Sequence, residues 1–301
     1  MSPAPGYRGR FAPSPTGPLH FGSLIAALAS YCDARAHRGE WLLRIEDVDL
    51  PRRRAGADSA LLATLAAYGF AWDGEVVRQS TRGTHYDVAL ERLRARGLVF
   101  ACTCTRKELE AAPIGPTGER VYPGTCRRGV ATDRAARALR VAVDDAPIAY
   151  TDRLQGAQSQ RLARDIGDFV IRRADGLVAY QLAVVVDDAL QGITHVVRGA
   201  DLLASTPRQI WLQRALGYAT PTYLHHPIAI DLHGRKLSKE TGAARLPDDP
   251  VPALWRAWRF LGQAEPERRS TSLASLTSFW RWAIARWEPR ALPPVTMQPA
   301  V

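Results

Sequence analysis

Arg10-Phe-Ala-Pro-Ser-Pro-Thr-Gly-Pro-Leu-His20-Phe-Gly-Ser23 stands near the start of the chain, and Arg235-Lys-Leu-Ser-Lys239-Glu-Thr-Gly242 follows much later, with 216 positions separating His20 from Lys236. The first stretch continues a short strand over residues 7–12 and leads into an Ala- and Leu-rich helical pattern over 22–38 that stops near Gly39. A strand-to-helix turn leaves backbone N–H groups unpaired at the helix start, a seat for phosphate. Pro13, Pro15 and Pro18 stiffen the approach, Gly22 admits a ligand close to the backbone, and His20 can donate to a phosphate oxygen. Alone, the stretch reads better as a proline-rich connection with one surface histidine. The second stretch gathers Arg235, Lys236 and Lys239 in a polar loop with Ser238. Alone, it reads as an exposed basic loop. Their presence at opposite ends of one α/β segment favours a phosphate site, because cations that meet charge developing on phosphate oxygens lower a barrier.

Working outward, Trp41–Ile45 reads as a second strand, 55–68 as a helix before Gly69, and 83–96 as a helix before Gly97. Strand and helix alternating at this spacing predict a parallel sheet with crossover helices. The pattern breaks over 102–130, which holds three cysteines with Pro and Gly, and over 139–165, which reads as short strands and turns. Apolar runs resume at Phe169–Arg172, Leu182–Val186 and Ile193–Val197, with Tyr180 read as a strand start. A helix near 206–216 opens on Thr206-Pro207, and 228–232 is the strand before the second stretch. Beyond Pro247 the chain is Trp- and Arg-rich and helical in pattern, and the proline-bearing residues from Leu292 are expected to be loose. The expected fold is α/β: a Rossmann-like domain in two halves, 1–101 and 166–245, interrupted by an inserted module over 102–165 and followed by a short helical C-terminal region over 246–301.

The net charge is +10, from 40 Lys and Arg against 30 Asp and Glu. That excess suits a polyanionic partner such as RNA, and equally an Arg-rich compositional bias. Trp255, Trp258, Trp280 and Trp282, with Arg256 and Arg259, fit either a helical core or a surface that grips a stem-loop. No run of about 18 apolar residues occurs, so no membrane partner is expected. The N-terminus has no apolar signal core, and the cysteine usage fits a reducing compartment, so the expected location is cytoplasmic.

Cys102-Thr-Cys104 and, further on, Tyr122-Pro-Gly-Thr-Cys126 form a metal-ligand pattern. Structural Zn²⁺ takes four ligands and favours thiolates. Three cysteines leave one place, and residues 102–165 contain no histidine to fill it. Tyr122, Glu119 and water are the candidates. Cys32, among apolar residues in a helix, reads as core.

The two opening stretches resemble the HIGH and KMSKS signatures of class I aminoacyl-tRNA synthetases, in the form used by the glutamyl and glutaminyl branch. The resemblance runs from about Arg8 to Arg245. Ser23 stands for the last histidine of the first signature, while Leu237 and Glu240 stand for Met and the last Ser of the second. The resemblance implies ATP, used with Mg²⁺, as a substrate. Pro13, His20, Gly22 and Lys239 would bind it, and Lys239, Lys236 and His20 would serve catalysis. Arg44-Ile-Glu46-Asp47-Val-Asp49 is similar to a glutamyl-synthetase stretch in which the carboxylate at position 46 accepts from the substrate ammonium. Arg10 and Arg198 would then meet the carboxylates of L-glutamate, with Ser14 and Tyr180 adding hydrogen bonds. A subgroup of shortened glutamyl-synthetase paralogues shares the Cys102, Cys104, Tyr122, Cys126 pattern, which implies Tyr122 as the fourth ligand of one structural zinc. Only about 55 residues follow the second stretch here. This points to the subgroup that activates glutamate without tRNA and attaches it to queuosine in the anticodon stem-loop of tRNA(Asp), acting as a monomer. A shortened conventional synthetase charging the 3′ end and an inactive RNA-binding paralogue stay open as alternatives.

Overall fold

The computed structural model describes residues 6–48, 56–130, 135–231, 233–237, 244–266 and 275–300. Strand β1 (Arg8–Phe11), helix α1 (Phe21–Ala36) and strand β2 (Glu40–Ile45) form the first crossover unit, with Arg8 opposite Glu40 and Phe11 opposite Leu43 in parallel register. α1 is built largely of strong helix formers and buries Leu24, Ile25, Leu28 and Tyr31. A helix buried over so much of its surface lies inside a fold rather than on it. Gly39 closes it by donating its N–H to the Ala34 carbonyl at 2.9 Å. Helix α2 (Ala57–Ala67) brings the chain to β3 (Val77–Arg78), which pairs in parallel with the end of β2, and α3 (Gly83–Ala95) follows.

The middle of the chain is antiparallel. It runs through β4 (Val99–Cys102), α4 (Arg106–Glu110), β5 (Ala138–Val141), β6 (Pro147–Asp152), β7 (Gly156–Arg161), α5 (Leu162–Asp165) and β8 (Val170–Arg172). β5 lies between β4 and β8, while β6 and β7 make a separate hairpin. Thr105 and Glu108 start α4 with a reciprocal capping box. Gly167, at φ +74°, passes so close to Tyr122 that a methyl group there would sit 2.3 Å from the Tyr122 carbonyl oxygen.

Parallel pairing then returns with α6 (Tyr180–Leu190), β9 (His195–Gly199), α7 (Thr206–Leu216), β10 (Thr222–His226) and β11 (Ile228–Ile230). β9 pairs with β10, and the Thr194 N–H just before β9 donates to the Arg8 carbonyl at 2.9 Å, so β1 lies between β2 and β9. The strand order therefore runs β3-β2-β1-β9-β10 and changes direction between β1 and β9. Doubly wound sheets bind ligands at such a switch, beyond the carboxyl ends of the strands.

Two expectations need correction. Tyr180 begins a helix, not a strand, and Leu182–Val186 is helical within α6. A short apolar run has no periodicity to distinguish the two, and burial of this run overrides the β preference of its valines. The segment from Leu292 is not loose throughout: β12 (Met297–Pro299) pairs in parallel with β11, and the Ala300 N–H donates to the Ile230 carbonyl at 3.1 Å. Between these segments, α8 (Pro250–Phe260) and α9 (Leu276–Arg286) pack on α1. Asp249 and Ser275 cap them, accepting from Val251 and Ser278 N–H groups. Trp255, Trp258 and Trp280 are buried there, with Trp255 and Trp258 edge-on to Phe279, so these three tryptophans serve the core. Removing the Trp258 ring would cost about 3–5 kcal/mol. Arg256 lies over the Phe21 ring at 4.4 Å and Arg259 pairs with Glu265 at 3.4 Å. Among the described residues, no helix is long and apolar enough to cross a membrane.

Candidate active site and cysteine cluster

A cleft of about 470 Å³ opens at the switch between β1 and β9. Arg10, Pro13 and Ser14 reach it from the end of β1, His20 and Gly22 from the start of α1, and Glu46 from the end of β2. Tyr180 enters from the start of α6, Arg198 from β9, and Lys236 from the segment after β11. Sequence positions spread over more than 200 residues thus meet in one space. Lys239 lies outside the described residues, as do Asp49, Ser238 and Glu240.

Charge in the cleft is arranged unevenly. Arg10, buried at 4% exposure, gives its Nε to Asp188 at 3.2 Å. Arg44, fully buried, reaches the same Asp188 oxygen at 2.8 Å and Glu46 at 3.5 Å. Burial alone would push Asp188 up, yet the two guanidinium groups hold its carboxyl below the usual range. Glu46 goes the other way. Burial raises it, Arg44 and Arg10 oppose that, and the neighbouring Asp188 adds to it. Burial and Glu46 push the Tyr180 hydroxyl up to about 12, so it is a neutral donor.

Arg198 is 5% exposed and forms no salt bridge among the described residues. Its Nε donates to His225 Nε2 at 3.0 Å, and its Nη2 to Thr206 Oγ1 at 2.9 Å and more weakly to the Leu202 carbonyl at 3.4 Å. Its Nη1 is buried with no hydrogen-bond partner among the described residues. Burying an ion costs several kcal/mol unless an opposite charge answers it. A guanidinium in this state, lining a cleft, is suited to an anion.

Lys236 donates to Asp201 at 2.5 Å and lies opposite Ile230 in an isolated bridge. Asp188, Asp201 and His225 are not among the sequence candidates for the site, and Thr206, expected as the helix cap, instead follows the actual N-cap Ser205. The one available signal was the Asp187-Asp188 pair inside an apolar run, since carboxylates there need partners. Asp47 serves structure, accepting from the Ser80 N–H at 2.8 Å and hydroxyl at 2.7 Å.

At the end of β4, the sulfurs of Cys102, Cys104 and Cys126 lie within 4.8 Å of one another. Sulfurs about 2.3 Å from one tetrahedral ion would be spaced like this. The Tyr122 hydroxyl is 3.6 Å from Cys102 Sγ and 4.0 Å from Cys104 Sγ, and it accepts from the Cys126 N–H at 2.9 Å. Arg140 lies over the Tyr122 ring at 3.9 Å. The donor set thus fits a thiolate-rich zinc site with oxygen at its fourth corner. Glu119 is taken up elsewhere, clamped by Arg208 at 2.7 and 2.9 Å. Cys32 is fully buried in α1, as expected of a core residue.

The family model described as tRNA synthetases class I (E and Q), catalytic domain, matches residues 7–251. The Glutamyl-Q tRNA(Asp) synthetase of Dechloromonas aromatica is 57% identical over 290 residues, covering 95% of this chain and 96% of that protein. The protein of the same name from Thiobacillus denitrificans is 53% identical over 296 residues, covering 97% of each. Among solved structures, a glutamate tRNA ligase from Elizabethkingia meningosepticum in complex with its amino acid shares the fold, with a TM-score of 0.78 at 24% identity over 97% of this chain and 66% of that one. The chain therefore belongs to the class I tRNA synthetase family of the E and Q type, alongside relatives named Glutamyl-Q tRNA(Asp) synthetase.

Proposed function

We propose that this chain, a ligase of the aminoacyl-tRNA synthetase type, activates glutamate with ATP without tRNA and then transfers it to queuosine in the anticodon of tRNA(Asp). One observation carries the reading: Arg10, Ser14, Glu46, Tyr180 and Arg198 line one cleft, and Arg198 is buried there without a carboxylate partner among the described residues. Glutamate has two carboxylates and one ammonium. Arg198 and Arg10 answer the carboxylates, Glu46 the ammonium, and Tyr180 and Ser14 supply further hydrogen bonds.

In the first step a substrate α-carboxylate oxygen forms a bond to the α-phosphorus of ATP, and pyrophosphate leaves with the electrons of the broken P–O bond. His20 and the start of α1 receive the phosphates. Lys236 and Lys239 meet the charge that grows on the departing oxygens. ATP brings Mg²⁺, which shares that neutralisation. In the second step a queuosine hydroxyl attacks the activated carbonyl, its proton is lost, and AMP leaves. Cys102, Cys104, Cys126 and Tyr122 would hold one structural Zn²⁺, and these residues would then tie β4 to the segment that follows α4.

The test is labelled glutamate with ATP and tRNA, with and without queuosine, followed by mapping of the label. A queuosine-containing anticodon stem-loop of tRNA(Asp) should accept glutamate, and the same RNA with guanine should not. Removing the 3′-terminal adenosine from full-length tRNA should make no difference. Labelling that depends on that adenosine would overturn the proposal.

A further inference from the structure

Arg198 is held from behind by His225, which Asp152 holds in turn, and neither side chain lines the cleft. Asp152, the last residue of β6, is 1% exposed, and His225 on β10 is fully buried. His225 Nδ1 lies 2.6 Å from Asp152 Oδ2, and His225 Nε2 lies 3.0 Å from Arg198 Nε. An arginine Nε always carries hydrogen, so Nε2 of the ring must accept and Nδ1 must hold the proton. The other Asp152 oxygen accepts from the N–H groups of Leu154 at 3.0 Å, Gln155 at 2.9 Å and His225 at 3.2 Å. Burial drives His225 down to about 4, against the pull of Asp152 and with the push of Arg198, so the ring is neutral near pH 7. The Thr206 hydroxyl, 3.2 Å from Nε2, and the stacked Tyr223 ring complete the pocket around it.

The geometry points to Asp152 and His225 as a positioning pair for Arg198: the carboxylate selects the histidine tautomer, the histidine fixes the guanidinium by its Nε, and Nη1 is left for the ligand. The inference rests on Arg198 being a carboxylate-binding residue of the proposed site. It also ties the tip of the β6–β7 hairpin to the amino-acid seat. The same tip grips α1, since Arg153 holds Asp33 through two bonds of 2.6 and 3.0 Å.

Asp152→Asn keeps an acceptor for the turn N–H groups but turns an amide N–H toward His225. That favours the opposite tautomer, whose Nε2–H opposes Arg198 Nε–H. In glutamate-dependent pyrophosphate exchange, the KM for glutamate should rise at least about tenfold, with the KM for ATP held within about twofold. His225→Gln, whose carbonyl can still accept from Arg198, should stay within about threefold, and adding Asp152→Asn to it should change little more. His225→Ala should behave as Asp152→Asn. Nitrogen-15 spectra of the wild-type protein should show His225 as the Nδ1–H tautomer, assigned by its loss in His225→Gln. That spectrum and the His225 series decide the matter even if Asp152→Asn fails to fold. An Nε2–H tautomer in the wild type, or a folded Asp152→Asn with an unchanged glutamate KM, overturns the pair. If Arg198→Ala itself leaves the glutamate KM unchanged, the reading of the site fails. If Arg198→Ala raises it and the pair variants do not, only this inference fails.

Discussion

Gly22 lies against the Leu237 backbone: a methyl group built on Gly22 would sit 3.1 Å from the Leu237 carbonyl oxygen and 3.1 Å from His20 Cε1. The start of α1 and the entry to the second signature are thus in direct contact. On the exit side, His20 forms an antiparallel bridge with Arg245, and the Leu246 N–H donates to the Leu19 carbonyl at 3.1 Å. Both flanks of residues 238–243 are anchored on the turn that carries His20.

Gly22→Ala tests that contact. Alanine is the better helix former by about 1 kcal/mol, so the melting temperature should not fall by more than a few degrees. The added methyl must push Leu237 away by a few tenths of an ångström, and pyrophosphate-exchange turnover should drop about fivefold or more. Undiminished turnover would mean that the loop does not depend on this approach.

Lys239, two positions after Leu237 in the sequence, is the residue proposed to meet the charge on the departing pyrophosphate. Lys239→Ala should lower exchange turnover at least about tenfold, since a lost contact to transition-state charge costs more than about 1.4 kcal/mol. The KM for glutamate should change little, because the proposed amino-acid seat lies with Arg198 and Glu46. A variant with normal turnover and a raised glutamate KM would contradict this division of labour.

The parallel frame was legible because its elements are long and patterned. The helices begun at Phe21, Ala57, Gly83 and Thr206 lie within a few residues of their expected places. Candidate site residues were legible where short motifs bring unusual residue types together, as in His20–Gly22 and Cys102–Cys104. The α6 run was misread because valines in a buried helix leave no periodic signature. β12 was missed because three residues paired to a distant edge carry no local pattern. Asp152 and His225 were invisible for a related reason: their meeting is set by a hairpin and a strand 73 positions apart.

Glu46 sets a pH dependence with a definite sign. Its carboxyl is raised by burial, with Arg44 and Arg10 opposing and Asp188, Asp187 adding. Only the carboxylate can accept from an ammonium, so glutamate affinity should be full above that raised pKa and fall as pH drops through it. The acid limb should lie higher than the about 4.3 of an ordinary glutamate. The same upward shift means the folded state holds the Glu46 proton more tightly than the unfolded chain does, so the residue's contribution to stability falls as pH rises from the ordinary carboxylate range through its folded pKa. Calorimetric titration of glutamate across pH, with Glu46→Gln beside the wild type, reads this directly. Matching acid limbs in the two proteins would remove Glu46 from the ammonium seat.

The cysteine cluster makes the last prediction. Three sulfurs lie within 4.8 Å of one another, with the Tyr122 hydroxyl beside two of them, and the Thr103 N–H donates to Cys126 Sγ at 3.5 Å, a bond that favours a thiolate. Protein purified without chelators should carry about one Zn²⁺ per chain. Binding a structural metal is folding free energy for the segment that holds it, so Cys104→Ser should lose the metal and unfold at a lower temperature. Tyr122→Phe separates oxygen from sulfur. It removes only the fourth donor, and a water can take that corner, so zinc should remain but leave faster in a competing chelator. Glu119 gives the control, because Arg208 already holds its carboxylate and Glu119→Gln should keep zinc at the wild-type rate of loss. Metal analysis that finds no zinc in the wild-type protein would end the proposal. Equal loss rates for Tyr122→Phe and the wild type would remove the tyrosine from the ligand set while leaving the three cysteines in place.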